Sequence, residues 1–220
     1  LPTGAPGRIP DVAYYDKWYG DGRWAASTII SNSIGQGEIA ATPLQLANMT
    51  AAIANRGYFY TPHVIKNIGN NGKIDPKFTE PRYTTIDRKH FDPVIQGMAD
   101  VYNHGTARWV KIPGIDIAGK TGTVENYIRI DGERMQLTDH SVFVAFAPVE
   151  NPQIALAVYI ENGYYGARYA GHIASLLIEK YIKGEITRKD LEKRMLEKTL
   201  EHEYAKPYSD EPFEINEYVW

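Results

Sequence analysis

Lys120-Thr121-Gly122-Thr123, at the end of the apolar run Ile115 to Gly119, places a cation, two hydroxyls and a side-chain-free backbone within four residues. On the edge of a sheet, that set can receive an extended peptide. An edge offers unpaired backbone N–H and C=O groups for strand addition, and Gly122 allows close approach. Lys120 supplies positive charge for a carboxylate and keeps a neighbouring proton acceptor deprotonated. The hydroxyls of Thr121 and Thr123 can bind a terminal carboxylate, and the Thr123 N–H can form half of an oxyanion hole. An ordinary surface strand with a solvated lysine would carry the same residues. An attacking group is not evident. None of the six serines (27, 31, 33, 141, 175 and 209) has a lysine three residues later, and none has an asparagine or aspartate two residues later.

The elements that must position these residues follow from pattern. Ile115 to Thr123 reads as a strand. Ser141 to Ala147 and Ile154 to Glu161 are two more, joined by Pro148-Val149-Glu150-Asn151-Pro152, too short for a crossover and therefore antiparallel. Residues 42–56 predict a helix with Thr42 as N-cap, Pro43 at its first position, a stripe of Leu46, Met49 and Ile53, and Gly57 as the stop. Residues 87–104 predict a second, from the spacing of Phe91, Val94, Ile95, Met98, Val101 and Tyr102. A third spans 168–182 through Ile173, Leu176, Leu177 and Tyr181. His63 to Ile68 and Ile74 to Thr79 read as short strands around an Asn71-Gly72 turn. Residues 1–24 read as an extended surface segment. Beyond Gly184 the composition turns to Lys, Arg and Glu. Residues 187–204 predict a charged accessory helix that Thr187 and Asp190 would cap, and an aromatic, acidic tail follows.

Composition bounds the function. The 220 residues suffice for one good core, and a net charge of −3 gives no nucleic-acid footprint. Sixteen tyrosines against six phenylalanines suit either a surface for polar polymers or half-buried packing. The absence of cysteine excludes disulfides, thiolate chemistry and Cys-ligated metals. No apolar run reaches the roughly 18–20 residues of a membrane span, and Leu1-Pro2-Thr3-Gly4 reads as mid-chain, so an excised fragment is expected.

A second constellation precedes the lysine motif. Ser33-Ile34-Gly35-Gln36-Gly37 leads into Thr42-Pro43-Leu44-Gln45-Leu46-Ala47, then Asn55-Arg56-Gly57 and Pro62. Gly105-Thr106-Ala107, Ala118-Gly119-Lys120-Thr121-Gly122-Thr123, Asp139-His140-Ser141-Val142-Phe143, Phe146-Ala147-Pro148 and Glu161-Asn162-Gly163 follow in order. In this order, over roughly residues 1–183, the chain resembles the transpeptidase domain of class B penicillin-binding proteins, most like the elongation type. Asp139-His140-Ser141 is not a catalytic triad, because adjacent strand residues face opposite sides. Ser31-Asn32-Ser33 lacks the spacing of a Ser-x-Asn motif. The remaining histidines (63, 90, 104, 172 and 202) show no metal-ligand spacing.

The resemblance implies an α+β fold: an antiparallel β-sheet flanked by helices, here incomplete at its N-terminal side. Residues 1–183 would be the C-terminal part of the transpeptidase domain, and 184–220 a charged helix and tail. It implies a serine acyl-enzyme formed on peptidoglycan stem peptides and inhibited by β-lactams, with the nucleophile and its lysine upstream of this chain and no cofactor or metal. Lys120 and Thr123 would act in catalysis, and Lys120, Thr121, Gly122 and Thr123 in substrate binding. Expected partners are the glycosyltransferase and scaffold proteins of an elongation complex, at the periplasmic side of the inner membrane. The strand at 154–161 would pair with a strand outside the chain, so strand-mediated self-association of this piece is expected. Two other readings fit the residues: a D,D-carboxypeptidase or β-lactamase of the same superfamily, and a non-catalytic peptide- or glycan-binding module.

Overall fold

The computed structural model describes residues 4–65, 72 and 74–204. The chain opens with two short helices, α1 (Val12–Tyr19) and α2 (Ala26–Ser33). The first corrects the expectation of an extended segment over residues 1–24. Asp11 caps it by accepting from the Tyr14 N–H at 2.8 Å. Its aromatic residues pack on one another, with the ring of Tyr15 5.5 Å from Trp24 and 6.0 Å from Tyr19. Such a cluster leaves no amphipathic stripe to read.

Helix α3 (Pro43–Ala54) forms as its sequence predicts. Thr42 Oγ1 accepts from the Gln45 N–H, and Gln45 Oε1 accepts from the Thr42 N–H, so two end groups satisfy each other. Thr42→Ala should therefore cost about 1 kcal/mol, read as a lower thermal midpoint. Met49 lies outside the buried face, which is formed by Thr50, Ala52 and Ala54. Strands β1 (Tyr58–Phe59) and β2 (Arg82–Tyr83) pair beside it. The strands expected around residues 63–79 are not found where they are described. His63 to Ile65 carry no strand, and Pro76–Phe78 forms a 3-10 turn, because Asp75 accepts from the Lys77 N–H and Pro76 follows at the first position. Asn71 and residues 66–70 lie outside the described residues.

Helix α4 (Phe91–Asn103) buries Phe91, Ile95, Met98, Ala99 and Tyr102, with Pro93 tolerated in its first turn. Strand β3 (Ala118–Val124) carries the lysine motif. An unexpected hairpin follows, β4 (Tyr127–Ile130) and β5 (Glu133–Gln136), turned by Asp131 and Gly132 at φ 52° and 89°. Strands β6 (His140–Ala147) and β7 (Ile154–Ile160) complete a three-stranded antiparallel sheet in the order β3-β6-β7. Among the described residues, β7 has no strand on its outer side.

Alternation divides the sheet into two faces. Phe143, Ala145, Ala147 and Leu156 pack on Ala170, Ala174 and Ile178. The last two belong to α5 (His172–Lys183), which follows a π turn over Ala167–Gly171. On the opposite face, Ala118 and Phe146 pack on Ala54, Phe91, Ile95 and Met98 of α3 and α4. The fold is thus α+β, an antiparallel sheet flanked by helices.

Two expectations for the C-terminal helices are corrected. Leu177 and Tyr181 are exposed; α5 instead buries Ala174, Ser175, Leu176, Ile178 and Glu179. Thr187 does not cap α6 (Lys189–Glu197). Its hydroxyl donates to Glu179 at 2.5 Å, and the helix begins from Arg188 without a side-chain cap. The short α7 (Glu201–Tyr204) then returns to the sheet. There Glu203 is buried and accepts from the hydroxyls of Thr138 and Tyr164.

Candidate active site

Among the described residues, strand β3 is an edge strand, paired on one side with β6 from Ala118↔Phe146 to Val124↔His140. Lys120 and Gly122 lie on one face, with Val144 and Val142 as cross-strand partners. Thr121 and Thr123 lie on the other, opposite Phe143 and Ser141. Lys120 and Thr123 are exposed. The four expected site residues are therefore contiguous along the edge, but their side chains divide between two faces.

Backbone polarity alternates as well. In an antiparallel ladder, the N–H and C=O of every second residue point away from the partner strand. The carbonyls of Thr121 and Thr123 accept from side chains, Lys120 Nζ at 2.7 Å and Gln36 Nε2 at 3.0 Å, which identifies these two residues as the outward-facing set. The Thr123 N–H shares that direction. The Thr121 hydroxyl lies 2.8 Å from that of Thr106, so the Gly105-Thr106-Ala107 loop is tied to the motif.

Gly166 crosses the sheet at Gly122. A Cβ there would stand 2.5 Å from the Val142 carbonyl oxygen and 2.6 Å from that of Gly122. The loop after β7 can lie this close to β3 only because residue 166 has no side chain.

The glycine turn at residues 33–38 is held from the other direction. The Glu38 carboxylate accepts from the hydroxyls of Tyr19 at 2.7 Å and Tyr15 at 3.0 Å, and the Glu38 carbonyl accepts from Arg8 Nε at 2.7 Å. The Tyr19 hydrogen bond, with that of Tyr15, holds the Glu38 carboxyl below its ordinary range despite partial burial. Helix α1, which the sequence does not announce, thus anchors the turn that delivers Gln36 to β3.

Asp139, His140 and Ser141 go separate ways, as alternation requires. Asp139 accepts from the Asn126 N–H at 3.3 Å, His140 Nδ1 accepts from the Asn162 N–H at 3.1 Å, and buried Ser141 donates to the Tyr165 carbonyl at 3.0 Å. Among the described residues, no group of His, Asp and Glu is arranged to hold a metal ion. Gln36 and Thr106 stand within motifs of the sequence, but their contacts bridge 87 and 15 positions and no local signal gives either a role.

The model of the penicillin-binding protein transpeptidase domain matches residues 12–179. The peptidoglycan D,D-transpeptidase MrdA of Acinetobacter baumannii is 35% identical over 187 residues, covering 77% of this chain and 26% of that protein. The ceftriaxone acyl-enzyme of penicillin-binding protein A from Mycobacterium tuberculosis is similar at 27% identity and a TM-score of 0.59, over 69% of this chain and 35% of that one. Penicillin-binding protein 2 of Helicobacter pylori, solved in complex with MreC, is similar at 26% identity and a TM-score of 0.65, over 84% of this chain and 32% of that one. The chain belongs to the penicillin-binding protein transpeptidase family, as the C-terminal part of an elongation-type class B transpeptidase domain.

Proposed function

We propose that this chain is the peptide-receiving part of a serine D,D-transpeptidase that cross-links peptidoglycan stem peptides and is acylated by β-lactams. The observation that carries the reading is the lysine motif on an edge strand whose Thr121 and Thr123 backbones face outward, within a chain of this family. A stem peptide lies along β3 as an added strand. Lys120 draws in its carboxylate, Gly122 admits its backbone, the Thr121 and Thr123 hydroxyls assist in binding the carboxylate, and the Thr123 N–H stabilises the oxyanion of the tetrahedral intermediate. A serine of the longer protein attacks the D-Ala-D-Ala carbonyl, and the terminal D-alanine leaves as the amine. The amino group of a neighbouring stem then attacks the serine ester, restoring the hydroxyl and forming the cross-link.

The whole protein works at the periplasmic side of the inner membrane, in an elongation complex with a glycosyltransferase and a scaffold protein. A scaffold role is supported by the MreC complex of the Helicobacter pylori relative. The present residues alone are inactive, since no serine among them has the activating lysine three positions later. With no strand on the outer side of β7 among the described residues, they associate through that strand.

Fluorescent penicillin tests this reading. The 220-residue chain should remain unlabelled, and the longer protein should be labelled at a serine outside it. Label on a serine of this chain, or none on the longer protein, would overturn it.

A further inference from the structure

The receiving edge of β3 is closed. Both of its outward carbonyls within the motif are occupied, that of Thr121 by the motif's own lysine at 2.7 Å and that of Thr123 by Gln36 Nε2 at 3.0 Å. An added strand needs such carbonyls, because it pairs by donating its backbone N–H groups to them. A glutamine side chain ends in a primary amide, so its N–H is chemically close to the backbone N–H it stands in for.

We propose that Gln36 is a latch: it holds the Thr123 carbonyl in the empty site, and an incoming peptide or acylamino-bearing β-lactam must displace it to pair with β3. This rests on the reading of β3 as the receiving edge. Three features favour a latch over a chance surface contact. The turn bearing Gln36 is fixed, with the Gln36 N–H donating to the Ser31 carbonyl at 3.0 Å and Glu38 held by two tyrosine hydroxyls. The Gln36–Thr123 bond is solvent-exposed, so water can relay the exchange. Covering the carbonyl also protects an edge that would otherwise pair with any extended chain. Lys120 has the corresponding place at Thr121, where its ammonium must leave the carbonyl to meet a substrate carboxylate.

The test measures the second-order rate constant for acylation by a fluorescent penicillin, in the longer protein that carries the serine. Gln36→Ala and the donor-free, similarly sized Gln36→Met should each raise it by about two- to tenfold, the range of one exposed neutral hydrogen bond. Lys120→Ala should lower it by about tenfold or more. Gln36 variants that acylate no faster than wild type, beside a slow Lys120→Ala, would overturn the latch and leave the receiving edge standing. An unchanged rate in Lys120→Ala would overturn the receiving edge and the latch with it.

Discussion

Arg188→Ala should destabilise the chain by about 3 kcal/mol, at the lower end of the cost of breaking a buried ion pair. Glu179 is fully buried on α5 and accepts from Arg188 Nε at 2.9 Å and from the Thr187 hydroxyl at 2.5 Å. Lys183 Nζ stands further off, at 3.6 Å. Burial pushes the Glu179 carboxyl up, but the Thr187 and Arg188 hydrogen bonds and the Arg188 charge outweigh it, and the net direction is down. Removing Arg188 leaves a buried carboxylate with only the Thr187 hydroxyl and the longer Lys183 ion pair at 3.6 Å. It also releases the start of α6 and the Lys111 carbonyl that Arg188 Nη1 reaches at 3.3 Å. Urea denaturation at neutral pH measures the loss. Replacing both partners by methionine should cost much less, because no charge is then left buried. A single-variant loss below ~1 kcal/mol would mean that water reaches Glu179.

Acid should weaken the fold through His172. Burial, with the charges of Arg194 and Arg188, lowers its pKa from 6.5 to about 4. Its Nδ1 is buried without a hydrogen-bond partner. Between these values the unfolded chain binds a proton that the folded chain refuses, so stability falls as the pH drops. A shift of roughly two and a half units corresponds to about 3 kcal/mol lost between pH 7 and pH 4. His172→Gln stays neutral throughout, and its stability should depend far less on pH in that window. An identical pH slope in wild type and variant would refute the assignment. Glu179 acts at the acid end of this window and below it. Its depressed pKa gives stability above the unfolded carboxyl value, lost as pH falls through the folded one.

The sheet was legible because its signals are local. Phe143 and Leu156 each stand between less buried neighbours, and the Thr42–Gln45 cap is written within four positions. The β4–β5 hairpin was missed, although Asp131-Gly132 is a local turn signal that announces it. Helix α1 was not legible, because its aromatic residues satisfy one another instead of forming a stripe. The buried face of α5 was set by tertiary neighbours. A buried glutamate held by Thr187 and Arg188 replaced the apolar residues that spacing favoured. At the site, the lysine motif announced itself by residue type, whereas the Gln36–Thr123 contact depends on how α1 orients a distant turn.

The crossing of Gly166 over Gly122 has a consequence for how this chain can vary. Its φ lies outside the left-handed region, so the demand at residue 166 is one of clearance alone. Every other amino acid brings a Cβ, and that atom would meet two carbonyl oxygens at 2.5 and 2.6 Å. The codon therefore has no conservative replacement. Drift that is free to exchange one apolar residue for another in the core is stopped there at the first step.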